Sequence, residues 1–216
     1  MIYLGPFYPF QRMPEEESAR MLEAMGMAPS TPFVMHLGGN NPTKNRFAAI
    51  HIFNALTKQT STSHLHLILA GRPITPQMEQ YIQEQGLQSR FRNIQHPNNE
   101  QIRALYSRAQ ALIFPSLHEG FGLPVLEGQA CGCPVFTSNR APMTEVGGEG
   151  AAYFDPKQPE ETAEIVARGL ERRAEMIALG YENIKRFTTE GMIDNYIQAY
   201  RGLLAPQESR AARQVA

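Results

Sequence analysis

Ala111-Leu112-Ile113-Phe114-Pro115-Ser116-Leu117-His118-Glu119-Gly120-Phe121-Gly122-Leu123-Pro124-Val125-Leu126-Glu127 decides how the chain is read. Ala111–Phe114 is a short apolar run of the kind that forms a buried strand. Pro115 ends it. Gly120 and Gly122 let the backbone approach a ligand closely. Pro124 suits the first turn of a helix, where its missing N–H is not needed. The stretch is therefore strand, loop and helix, with free N–H groups at the helix start, a natural seat for a phosphate. Glu119 lies just outside that seat and Glu127 about one turn inside the helix. Carboxylates beside a phosphate seat suit hydroxyl-rich groups on either side of it, a ribose and a sugar.

Similar units flank this one. Strands are predicted at Phe33–Leu37, Leu65–Ala70, Phe91–Gln95, Ala111–Phe114, Pro134–Thr137 and Ala151–Phe154. Helices are predicted at Asn45–Lys58, Pro76–Gln85, Asn99–Ala109 and Leu123–Cys131. The alternation predicts an α/β fold, a Rossmann-like parallel sheet with helices on both faces. Right-handed crossovers put every strand's C-terminal loop on one edge, where such folds bind ligands. The loops there are Gly38–Lys44, Gly71–Pro73, His96–Asn98 and Pro115–Leu123. In the first, Gly38-Gly39-Asn40-Asn41-Pro42-Thr43-Lys44-Asn45 lacks P-loop spacing. Its Lys44 stands at a helix start, where it can neutralise a diphosphate.

Before the first strand, residues 1–31 read as a linker-like segment. Aromatics lie in Met1–Gln11, and Glu15–Met25 reads as a short helix because Glu15, Glu16 and Glu17 suit a helix N-terminus. After Pro159 the chain is helical, over Glu160–Arg173, Ala174–Phe187 and Met192–Leu204. Ala205–Ala216 reads as a frayed tail. The main domain is placed at 32–204.

Composition sets further limits. The 216 residues carry 20 Lys+Arg and 21 Asp+Glu, a net charge of −1. That balance lacks the basic footprint of a general nucleic-acid binder. Asp155 and Asp194 are the sole aspartates, so a DxD motif, an EF-hand loop and an Asp-pair metal site are all excluded. Cys131 and Cys133 are too close to pair without strain and read as reduced, buried small side chains of a cytoplasmic protein. His64 and His66 read as alternating along a strand. No stretch approaches a membrane span, and a charged signal-peptide start is absent.

The Glu119–Glu127 pair, with seven residues between, inside His-Glu-Gly-Phe-Gly-Leu-Pro-Val-Leu-Glu, resembles the signature of retaining GT-B glycosyltransferases of family 4 (group 1). Lys44-Asn45, Gly71, Gly132-Cys133-Pro134-Val135, Glu145-Val146-Gly147-Gly148 and the Tyr196–Tyr200 helix are similar to that family too. The resemblance runs from about Pro32 to about Leu204. It implies the C-terminal, donor-binding half of a two-domain enzyme that moves a hexose from a UDP- or GDP-sugar to an acceptor hydroxyl with retention.

The resemblance also implies roles. Glu127 would bind ribose hydroxyls, and Glu119 hydroxyls of the transferred sugar. Backbone N–H groups of Phe121, Gly122 and Leu123, beside Gly120, would hold sugar and diphosphate. Lys44 would stabilise the leaving diphosphate. Gly39 and Asn40 lie at the phosphate loop, and Arg72, Pro97 and Asn98 lie where the family contacts the base. His118 reads as structural or sugar-contacting. No metal or other cofactor is implied. The family's usual Arg about five residues before the Lys falls here on Gly39 or Asn40, with Arg46 or Arg72 as replacements. The acceptor half is expected on another segment or subunit, so this half alone is expected to be inactive. That half would also carry any peripheral membrane contact. Two alternatives stand beside this reading: a non-catalytic nucleotide-sugar-binding subunit, and a UDP-sugar 2-epimerase-like GT-B enzyme.

Overall fold

The computed structural model describes Tyr3 and residues 8–204; the tail read at 205–216 and most of the residues before Tyr8 lie outside the described residues. The elements are α1 (Glu15–Ala24), β1 (Phe33–Gly38), α2 (Arg46–Thr57), β2 (His66–Gly71), α3 (Pro76–Glu84), β3 (Phe91–Gln95), α4 (Asn99–Arg108) and β4 (Ala111–Phe114). There follow α5 (Leu123–Ala130), β5 (Val135–Ser138), α6 (Met143–Gly147), β6 (Ala151–Phe154), α7 (Pro159–Glu171), α8 (Arg173–Ile184) and α9 (Thr189–Leu204). The sheet is six-stranded and wholly parallel, in the order β3-β2-β1-β4-β5-β6. This is the Rossmann-like α/β sheet that the alternation predicts.

Neighbouring residues of one strand serve opposite faces, as the pleat demands. Met35, Leu112 and Val135 join Leu105, Tyr106 and Val125 of α4 and α5 in one core. Val34, Ile113 and Phe136 join Ile50 and Phe53 of α2 and Val166 of α7 in the other. Both faces are thus apolar, which is why the strands read as continuous hydrophobic runs. Sequence direction reverses between β1 and β4, so their C-terminal loops diverge and leave a crevice there.

Helix starts follow side-chain chemistry. Thr75 Oγ1 accepts from Met78 N ahead of α3, and Asn98 forms a capping box with Gln101 ahead of α4. The segment read as linker holds α1, which packs on α4 with Leu22 and Met27 in the core. The sequence reading has no counterpart for α6, a five-residue helix too short to show a period. His64 lies in the turn before β2, not on the strand, so the two histidines do not alternate along it.

α9 differs from the other long helices because none of its residues is buried. Ile193, Tyr196, Ile197, Tyr200, Leu203 and Leu204 form an exposed stripe at helical spacing. No helix among the described residues is long and apolar enough to cross a membrane.

Candidate active site

The crevice is built from the loops after β1 and β4, tied to each other through the backbone. Leu117 N donates to Thr43 O at 2.7 Å, and Asn45 Nδ2 donates to Pro115 O at 3.1 Å. Asn45 adopts φ 50°, which turns the chain from the loop into α2. These bonds set Lys44 and Glu119 face to face. Lys44 Nζ lies 2.8 Å and 2.9 Å from the two Glu119 oxygens. The Glu119 side chain is 10% exposed and that of Lys44 27%, so the pair is sheltered but reachable. The Lys44 ammonium also lies over the Phe114 ring, 5.4 Å from its centroid.

Gly122 begins α5 at φ 96°, a left-handed conformation that favours glycine. The backbone N–H groups of Gly120, Phe121 and Gly122 donate to no acceptor among the described residues. They are therefore free for an anion at the helix start. The Phe121 ring turns away from them and meets Phe187 edge-on at 6.0 Å.

Glu127 lies one turn further into α5 and accepts from the buried Tyr106 hydroxyl at 3.1 Å. Burial pushes its carboxyl up to about 7, against the opposing pull of the Tyr106 hydrogen bond and the Lys44 charge. It opens on a largely apolar cavity of about 250 Å³, lined also by Tyr8, Phe10, Asn99, Leu123 and Phe187.

Gly71 holds the second loop against the first. At φ 131° its missing Cβ would stand 2.2 Å from Gly38 O, so no larger residue fits. Asn40 is exposed and fastens the Gly38–Lys44 loop by donating from Nδ2 to Pro73 O at 2.8 Å. Arg46, one proposed replacement for the missing arginine, is buried beneath this loop. Its Nη1 donates to Asn40 Oδ1 at 2.6 Å and Arg72 O at 2.9 Å, while Nε and Nη2 have no partner. Arg72, the other, is exposed beside Gly39. Pro97 is half-buried, Asn98 spends its side chain on the α4 cap, and His118 is exposed.

The sheet thus gathers Lys44, Glu119, Glu127 and the Gly120–Leu123 backbone, with Gly39, Asn40 and Arg72 along one wall. The sequence reading names Arg46 as a replacement cation but not its burial, and it does not name the buried His36. His36 of β1 shares a hydrogen bond between Nδ1 and Ile113 O at 3.0 Å, and its Nε2 has no partner. Burial lowers its imidazole to about 3, so it is neutral. A histidine inside the run Phe33-Val34-Met35-His36-Leu37 was the available signal.

Comparison with known proteins agrees with this architecture. The model of the family described as glycosyl transferases group 1 matches residues 23–187. The O-antigen chain mannosyltransferase B of Escherichia coli is 28% identical over 174 residues, covering 78% of this chain and 45% of its own. An O-antigen chain mannosyltransferase of Salmonella typhimurium is 27% identical over 161 residues, covering 74% of this chain and 44% of its own. The chain thus spans less than half the length of these relatives. The crystal structure of Anabaena HepE in complex with UDP and glucose superposes with a TM-score of 0.79 at 19% identity, over 93% of this chain and 56% of that one.

Proposed function

Because this chain belongs to the glycosyl transferases of group 1, we propose that it is the donor-binding half of a retaining glycosyltransferase. In the whole enzyme a hexose would pass from a UDP- or GDP-sugar to an acceptor hydroxyl. The observation that carries this reading is the meeting of Lys44 and Glu119, 75 residues apart in sequence, beside the unused N–H groups of Gly120–Gly122. A mannosyl group is the hexose favoured by the names of the relatives.

The chemistry follows from the charges. As the bond from sugar to diphosphate breaks, negative charge grows on the leaving phosphate. Lys44 and the α5 N-terminus are the groups placed to stabilise it. Lys44 is paired with Glu119. An arriving diphosphate competes for the ammonium and frees Glu119 to accept hydrogen bonds from sugar hydroxyls. Glu127 accepts the ribose hydroxyls in its ionised form. Arg46 keeps a positive charge behind the phosphate loop, in place of an arginine within it. The acceptor site belongs to a second half, in keeping with a chain that covers 45% of its E. coli relative. The apolar stripe of α9 is a surface that such a half would cover.

The test is calorimetric titration of the chain with UDP, GDP, ADP and their sugar conjugates. One nucleotide should bind, and Glu127→Ala should weaken it about tenfold through lost ribose hydrogen bonds. Unchanged affinity in that variant would sink the assignment. Transfer or donor hydrolysis by the chain alone would exclude a purely binding subunit.

A further inference from the structure

The opposite edge of the sheet holds a second polar cleft, of about 300 Å³, below the N-terminal ends of β1 and β4. Arg12, Arg108 and Arg173 line it, with Ser30, Thr31 and Gln110, and no carboxylate does. β1 is six residues long, so the cleft lies on the order of 20 Å from Lys44. The cleft is separate from the site described above.

Three guanidiniums share this space, and the one carboxylate that acts on them, Glu15, pairs with Arg108 and is drawn also by the Arg12 charge, so positive charge remains in excess. Part of their hydrogen-bonding capacity is used structurally. Arg108 donates to Glu15 at 2.7 Å and to Pro29 O at 3.1 Å. Arg173 Nη2 donates to Ala109 O at 3.2 Å, a cation capping the C-terminus of α4. That role leaves two facts unexplained. Arg173 Nε is buried without a partner. Arg12 makes no hydrogen bond or ion pair among the described residues. The Arg173 guanidinium is also held below its ordinary range, first by burial, with the like charge of Arg12 adding to it. The side chains of Ser30, Thr31 and Gln110 likewise have no hydrogen-bond partner there.

We propose that this cleft binds a phosphate group, as free phosphate or as a small phosphate monoester, between Arg12 and Arg173, with Arg108 closing one wall. Guanidinium forks match phosphate oxygens in pairs. The hydroxyls of Ser30 and Thr31 and the Gln110 amide supply neutral donors around a hydroxylated body. The bound anion would join the segment before α1, the chain before β1, the end of α4 and the start of α8.

Titration of the isotopically labelled full chain with inorganic phosphate, followed by amide and arginine Nε resonances, tests this. Saturable shifts are expected at Arg12, Thr31, Gln110 and Arg173. Arg12→Gln and Arg173→Gln should each weaken binding about tenfold, the loss of a charge-assisted hydrogen bond. Lys44→Ala should leave it unchanged. Arg12 is exposed and unpartnered, so its variant stays readable even if Arg173→Gln fails to fold. A parallel titration with glucose 6-phosphate separates the two sources. Tighter binding than phosphate assigns a sugar phosphate, and equal binding assigns the free anion. The proposal is overturned by shifts confined to the Gly38–Lys44 and Gly120–Leu123 loops, by unchanged affinity in Arg12→Gln, or by no saturable shift at millimolar phosphate.

Discussion

Glu127 and His36 are both shifted by burial, and their effects on stability oppose each other. Glu127 titrates near 7 in the folded chain against 4.5 ordinarily, so the folded state holds a proton that the unfolded state has lost. Stability from this group falls as pH rises from about 4.5 to about 7. His36 titrates near 3 instead of 6.5, so the unfolded state takes the proton first. Its contribution falls as pH drops below about 6.5. Between about 4.5 and 6.5 the two slopes oppose each other, and His51 and His66, also lowered by burial, add to the His36 side, so a denaturant series should show a shallow profile there. Glu127→Gln should unmask the loss on acidification, and His36→Leu the loss on raising pH. A flat profile in both variants would refute the shifts. Nucleotide affinity should also strengthen from about pH 6 to about pH 8, as Glu127 ionises to accept ribose hydroxyls, and Glu127→Gln should abolish that dependence. Lys44, Glu119 and Glu127 were legible in the sequence because their spacing from glycines and a proline fixes them on one sheet edge. The Lys44–Glu119 pairing was not, since it depends on which strands lie side by side. The burial of Arg46 and His36 was not legible either, because polar residues give no sign of which face of an element they take.

At the scale of elements, two glycines separate steric need from torsional need. Gly71→Ala puts a methyl into Gly38 O, so thermal melting should show a loss of at least about 3 kcal/mol or failure to fold. Gly122→Ala meets nothing closer than Met143 Cγ at 3.9 Å and carries the torsional penalty alone, about 1–2 kcal/mol. An equal loss in the two variants would contradict this geometry. All six strands and the longer helices were legible, since each carries either an apolar run or a helical period. β3, β4 and β6 keep the predicted bounds, while other ends moved by one to three residues, as at β5, where Pro134 supplies no donor and the strand begins at Val135. α6 escaped because five residues between Pro142 and Gly148 complete hardly more than one turn.

For the molecule as a whole, α9 is the part whose surface and stability come apart. Its six large apolar side chains are at least 40% exposed, so they add little to the fold. Ile197→Ser, Tyr200→Ser and Leu203→Ser together should change the unfolding free energy by less than about 1 kcal/mol. The same triple change should reduce self-association in light scattering and binding of an apolar dye. A large loss of stability would mean that the stripe is packed after all. The parallel pairing of β1 with β4 has a kinetic consequence. Val34 meets Ala111 across the sheet, and Lys44 reaches Glu119 over 75 residues of chain. A chain still emerging from the ribosome has β1, β2 and β3 to pair long before it has a loop for Lys44 to face. The Lys44–Glu119 contact therefore forms only once β4 has joined β1, and on the proposed reading nucleotide recognition waits for that step. A donor nucleotide should slow the chain's unfolding and leave its refolding rate almost untouched.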